Sequence, residues 1–163
     1  MSDELFTTIK NKVKEEVKLK NKDDEMLWLI FTINQRPFAL PSNSVKEIFR
    51  NPTVFPLPFS PSYLTGVLNR YGDPYAVIDP ALLIGEEAQN SVLFITLNDD
   101  THTCFKITDV REFFTATQKD INKFSEEEIS DFFEGTLSVN GNDILIIKTS
   151  AFLERLENDI ERA

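Results

Sequence analysis

Apolar residues in this chain fall into short runs broken by polar turns, a spacing that predicts strands through most of its length. Leu27 to Ile33 and Val92 to Leu97 are rich in aromatic and β-branched residues and read as buried strands. Each is followed by a polar triplet, Asn34-Gln35-Arg36 or Asn98-Asp99-Asp100, that turns the chain into a second short strand. Further on, Asn69-Arg70-Tyr71-Gly72-Asp73 and Val139-Asn140-Gly141-Asn142 reverse the chain as hairpins. Asn140-Gly141 is the stronger turn signal, because both residues tolerate positive φ. Helical spacing replaces this pattern in three places. Over residues 3–20, Leu5, Ile9, Val13 and Val17 repeat at i+4 beside a row of Lys10, Lys14 and Lys18, with Asp3 and Glu4 at the N-terminus. Ser125 and Glu128 frame a capping box that predicts a short helix through Phe133. Ser150 is placed to cap a C-terminal helix whose Leu153, Leu156 and Ile160 form one apolar stripe.

The strand pattern occurs twice. Leu29-Ile30-Phe31-Thr32-Ile33-Asn34 matches Leu93-Phe94-Ile95-Thr96-Leu97-Asn98, and Val45-Lys46-Glu47-Ile48-Phe49 matches Val110-Arg111-Glu112-Phe113-Phe114. Gly66-Val67-Leu68-Asn69-Arg70-Tyr71-Gly72 matches Gly135-Thr136-Leu137-Ser138-Val139-Asn140-Gly141. Three blocks in the same order, offset by 64, 65 and 69 positions, point to two copies of one unit, residues 26–88 and 89–150. A unit of about sixty residues is marginal alone, and short strands leave exposed edges that closure removes. The expectation is a mainly β fold: two small barrels, one per copy, packed together over residues 26–155. A helix and linker over 1–25 precede them, and a helix over 150–163 follows. The first helix is expected to lie on the barrels through its stripe; docking to another protein is the alternative.

Charge narrows the partners. The chain carries 17 basic and 27 acidic residues, a net charge of −10. Residues 1–25 hold 6 of the basic and 7 of the acidic ones, so the remainder keeps a net charge of −9. That leaves no basic face for a phosphate backbone or an anionic membrane. One cysteine, Cys104, permits no internal disulfide and suits a reducing compartment. The apolar run Met26 to Phe31 is far shorter than the ~20 residues of a membrane span, and no signal-peptide pattern precedes it. A cytoplasmic protein is expected.

Catalytic chemistry is hard to assemble from these residues. The lone histidine, His102, sits between two threonines in an expected turn, where a surface role is the simpler reading. Cys104 reads as a small buried thiol. One His and one Cys two residues apart make no metal site, and five glycines provide no phosphate loop of the known kinds. No cofactor is expected. Asp79, Asp99, Asp109 and Asp143 keep open a carboxylate-dependent enzyme as a lesser alternative, although strand ends and turns account for them.

The segments Phe38-Ala39-Leu40-Pro41, Val45-Lys46-Glu47-Ile48, Pro56-Leu57-Pro58, Tyr63 to Gly72 and Ala76-Val77-Ile78-Asp79, in this order after the first strand, resemble the CheW-like domain of bacterial chemosensory systems. The resemblance implies two five-stranded SH3-like barrels. It also implies a non-enzymatic adaptor that couples the cytoplasmic hairpins of chemoreceptors to the regulatory domain of the histidine kinase CheA. From the repeat and strand pattern, the isolated protein is expected to be a folded, mainly β monomer. The resemblance places Val45, Glu47, Gly66, Asn69 and Tyr71 in a receptor-binding groove between the barrels, with Val45 and Gly66 as an apolar floor. Tyr71 stands where the family usually has arginine, with Arg70 one residue earlier, so Tyr71 is either a receptor contact or the filler of its own turn. The altered turn also motivates an alternative, a divergent scaffold serving a separate or competing pathway. Phe55, Leu57 and Phe59 lie in a connection unusually rich in apolar residues and read either as part of a kinase-binding face or as core.

Overall fold

In a computed structural model, residues 3–20, 25–91, 93–128 and 130–162 are described, with all their side chains except those of Asp3 and residues 13–20. Helix α1 (Asp3–Lys20) leads to strands β1 (Met26–Ile33), β2 (Arg36–Pro41), β3 (Val45–Arg50), β4 (Leu64–Arg70) and β5 (Asp73–Ile78). Then follow β6 (Leu93–Leu97), β7 (Thr103–Ile107), β8 (Asp109–Ala116), β9 (Ile121–Lys123), β10 (Phe133–Val139), β11 (Asn142–Ile147) and helix α2 (Thr149–Glu161). The strands form two sheets, ordered β8-β1-β2-β11-β10-β9 and β3-β6-β7-β5-β4.

Both sheets close on themselves. β8 and β9 lie at opposite edges of the first sheet but are consecutive in the chain, joined through a 3-10 turn at Gln118–Asp120. One bent strand therefore serves both edges, and the count becomes five. In the second sheet, the chain leaving β3 reaches the far edge at Phe55, which exchanges backbone hydrogen bonds with Val67 of β4 at 2.8 and 2.9 Å. Closure explains the repeated glycines. A Cβ on Gly66 would lie 2.3 Å from the Phe55 carbonyl oxygen, and one on Gly135 would lie 2.4 Å from that of Asn122. Only glycine lets the closing segment approach so near. Both sit beside a register shift in their hairpins.

The barrels are not the two sequence copies. The second sheet is the continuous stretch from β3 to β7, and the first is built from its flanks, β1–β2 and β8–β11. Each copy has thus given its opening hairpin to the other copy's last strands, which corrects the expectation of one barrel from 26–88 and one from 89–150. The connections enforce the exchange. β1 is antiparallel to β2 and to β8, the strand equivalent to β3. Within a single copy, β3 would therefore run parallel to β2, and the chain would first have to return the ~20 Å length of a strand. Three residues, Ser42–Ser44, separate β2 from β3 and reach at most ~14 Å, while Thr108 alone separates β7 from β8 and reaches ~7 Å. The chain can only continue forward, into the other barrel.

Three apolar clusters result. Trp28, Ile30, Ala39, Leu137, Val139, Ile144 and Ile146 fill the first barrel, and Phe49, Leu68, Tyr75, Val77, Phe94 and Cys104 fill the second. The largest lies between them and includes Leu29, Phe31, Phe38, Ile48, Ile95, Phe105 and Ile107. Alternate residues of β1 thus face two different cores, which is why that strand reads as one continuous apolar run.

Both terminal helices pack on the inter-barrel cluster, α2 through Phe152 together with Leu153 and Leu156 of its expected stripe, and α1 through Phe6, which lies outside the expected row. In α1 the buried residue is Phe6, while Leu5 and Ile9 are exposed; Val13, Val17, Lys14 and Lys18 lie outside the described side chains, as does most of the expected linker. In α2 Phe152 is the deepest residue, its ring 5.3 Å from Phe105 and 4.7 Å from Phe132; Leu156 is buried and Ile160 exposed. Lys148 takes the N-cap position without a side-chain bond, so Ser150 lies inside the helix rather than capping it. The helix expected from Ser125 to Phe133 is only a 3-10 turn at Glu126–Glu128, because Phe133 already belongs to β10.

Candidate functional site

The β4–β5 and β10–β11 hairpins turn through Tyr71-Gly72 and Asn140-Gly141, with φ of 54° and 85° in the first and 50° and 84° in the second. Both are the left-handed turns that match strand twist. Holding a tyrosine there costs about 1 kcal/mol that asparagine largely avoids. Its position next to Arg70 accounts for its surroundings. The Glu47 carboxylate accepts from Arg70 Nη2 at 2.7 Å and Nε at 3.1 Å, and from the Tyr71 hydroxyl at 3.3 Å. The Arg70 guanidinium lies 4.1 Å from the centre of the Phe49 ring and 5.0 Å from that of Tyr71. A buried carboxylate, an arginine held between two rings and an exposed tyrosine thus form one unit at the end of the second barrel.

The other expected groove residues are placed differently. Asn69 is exposed beside this unit, and its side-chain oxygen accepts the Gly72 N–H at 3.0 Å, which shapes the turn. Val45 is buried, and its carbonyl accepts Lys10 Nζ of α1 at 2.8 Å. Gly66 is buried beneath Phe55. Neither supplies the expected apolar floor, because one belongs to the core and the other to barrel closure.

Next to Glu47 runs the seam between the barrels. Ile48, Phe49, Arg50 and Leu93 line it from one side and Asp109, Val110 and Phe113 from the other, around a cavity of about 210 Å³. Phe6 of α1 enters this seam, 2 % exposed, with its ring 5.8 Å from Phe113. Sequence reasoning missed Phe6, having followed the i+4 row of Leu5; the bulkiest apolar residue of the helix was the available signal. It also missed Arg70, whose partner lies 23 positions away on another strand.

Phe55, Leu57 and Phe59 are all exposed, Phe59 at 99 %, and the prolines between them are exposed too. The core reading of these three is therefore incorrect. The backbone of Phe55 closes the barrel while its side chain faces solvent. Five consecutive exposed apolar residues make a patch of the kind that marks an interface.

The candidate catalytic groups have structural surroundings. Buried Asp79 accepts the N–H groups of Ala81 and Gln89 at 3.1 and 2.9 Å and the Gln89 amide at 2.8 Å. Gln89 in turn accepts from Thr108, the single residue linking β7 to β8, at 2.8 Å. Asp99 caps the turn at Thr101, and Asp109 accepts from Val110 N–H at 2.9 Å. His102 is an exposed turn residue whose ring lies tilted against that of Tyr75, 5.0 Å between centres. Burial pushes the Cys104 thiol well above its usual range, so it is no thiolate nucleophile at neutral pH. Among the described residues, no three His, Cys, Asp or Glu side chains converge on a metal position, and no helix is long and apolar enough to cross a membrane.

The family model of the CheW-like domain matches residues 27–157. Of fifteen solved chains that match, one is the scaffolding protein TtCheW from Thermoanaerobacter tengcongensis, 19 % identical, with a TM-score of 0.68 over 76 % of this chain and 88 % of that one. No curated protein sequence matches significantly.

Proposed function

The chain belongs to the CheW-like domain family, and on that premise we propose that it is a non-enzymatic, cytoplasmic adaptor of chemotaxis signalling, coupling chemoreceptor hairpins to the kinase CheA. The observation that carries this reading is the division of its surface into two separate features of binding character on one barrel. The exposed segment of residues 55–59 serves as the kinase-binding face, an apolar anchor within the ~800 Å² per partner that a standard interface buries. The Glu47–Arg70–Tyr71 unit and the adjoining seam serve the receptor. In this unit the charge of Arg70 is compensated by Glu47, and Tyr71 presents an exposed ring with its hydroxyl already on Glu47. Receptor binding accordingly rests on apolar contact and depends weakly on salt.

Co-sedimentation with a purified CheA regulatory domain, then with a receptor cytoplasmic fragment added, tests the assignment. Binding of both, with loss of kinase binding in Phe59→Asp and of receptor binding in Tyr71→Ala, is the expected result. A protein that binds neither partner sinks the adaptor reading.

A further inference from the structure

Helix α1 precedes the segment matched by the family model, residues 27–157, so it is an addition to the shared domain. It nevertheless lies on the surface proposed for the receptor. Glu4, Thr7 and Thr8 of α1 share an open depression of about 530 Å³ with Lys46, Glu47 and Tyr71, while Phe6 sits in the adjoining seam. A second helix cannot occupy that position while α1 is there.

Phe6 is the one buried residue of α1 among the described side chains, and Lys10 Nζ donates to the Val45 carbonyl at 2.8 Å. Leu5 and Ile9 remain exposed. The seam also keeps its 210 Å³ cavity beside the Phe6 ring, so the present occupant does not fill it. An apolar groove that holds one aromatic side chain of an amphipathic helix is a helix-in-groove site by its physics.

We propose that the seam between the barrels is a docking site for an amphipathic helix carrying one bulky apolar knob, and that α1 is its resident, detachable occupant. A chemoreceptor helix binds by displacing it. The identity of the incoming helix rests on the receptor-coupling reading above; the capacity of the seam to hold a helix does not. Receptor affinity is then set by the fraction of molecules in which α1 has left, and whatever holds or releases α1 regulates coupling.

Backbone hydrogen exchange on the full chain, with and without a saturating chemoreceptor cytoplasmic fragment, decides the matter. Residues 3–12 should lose protection in the complex while β3 and β8 keep theirs; α1 protected in the formed complex overturns the proposal. Phe6→Ala in the full chain should bind the fragment about tenfold more tightly, since more of the seam is open. It should also take up a fluorescein-labelled peptide of residues 1–24 at least tenfold better than wild type, and Phe6→Leu should restore wild-type behaviour. Equal fragment affinity in wild type and a cooperatively folding Phe6→Ala also overturns it. If the fragment binds neither protein, the receptor reading alone fails, and the peptide decides: uptake by Phe6→Ala sustains an exchangeable seam, and no uptake removes it.

Discussion

The two barrels share a frame and differ in what is mounted on it. Gly66 and Gly135 admit the closing segment in each, Tyr71-Gly72 and Asn140-Gly141 turn equivalent hairpins, and Tyr63 and Phe132 hold α2 from equivalent positions. Elsewhere the equivalents diverge. Glu47 is buried against Arg70 and Tyr71, whereas Glu112 is exposed and faces Val139 and Asn140 across an open depression. The closing connection of one barrel exposes Phe55, Leu57 and Phe59, while that of the other carries Glu126, Glu127 and Glu128. Positions that build the barrel stayed alike in both copies because closure geometry permits few residues. Positions facing outward were free to specialise, and both proposed binding features lie on the barrel that departs from its twin.

The shared frame is tested most severely at its glycines. Gly66→Ala and Gly135→Ala should each cost about 3 kcal/mol or more in urea unfolding, because the added methyl meets backbone rather than a movable side chain. Gly66→Ala should cost more, since its φ of 153° is also unfavourable for a side chain. A mild effect at one position alone would break the equivalence of the two closures.

The divergence should appear at the carboxylates. Arg70→Ala removes the ion pair with Glu47 and should lose about 2 kcal/mol, below the ~3–5 of a fully buried pair because Arg70 is partly exposed. Glu112→Ala should change stability by less than ~0.5 kcal/mol. Equal losses would mean that the first barrel holds a charged unit of its own.

A smaller effect separates the two grips on α2. The Tyr63 hydroxyl donates to Asp159 at 2.6 Å, which holds that carboxyl below its usual range. A lowered carboxyl pKa contributes stability above the ordinary value near ~4, lost as pH falls through the lowered one. Protection factors of α2, taken against the intrinsic exchange rate at each pH, should therefore fall on acidification toward pH 3 and below. Tyr63→Phe, which copies Phe132, should remove that fall; its persistence would assign the acid response elsewhere.

The smallest effect on stability should come from Phe59→Ser, below ~0.5 kcal/mol in thermal unfolding because the ring is wholly exposed. The same substitution should weaken kinase-domain binding at least tenfold if residues 55–59 are the anchor.

What the sequence determined by itself is local. Strand runs, the two hairpin turns, the helices at either end and the duplication all rest on periodicity and turn chemistry within a few residues. Two candidate residues, Glu47 and Tyr71, were also found there and do meet in space, although the partner that joins them, Arg70, was not assigned to them. Tertiary structure decided which hairpin enters which barrel, because two similar copies offer each hairpin two nearly equivalent partners. Only the reach of the Ser42–Ser44 and Thr108 connections distinguishes them. It likewise decided that Phe6 rather than Leu5 turns inward and that Phe55, Leu57 and Phe59 stay outside. Those outcomes depend on the neighbouring surface, which the spacing of apolar residues along a single helix or loop does not show.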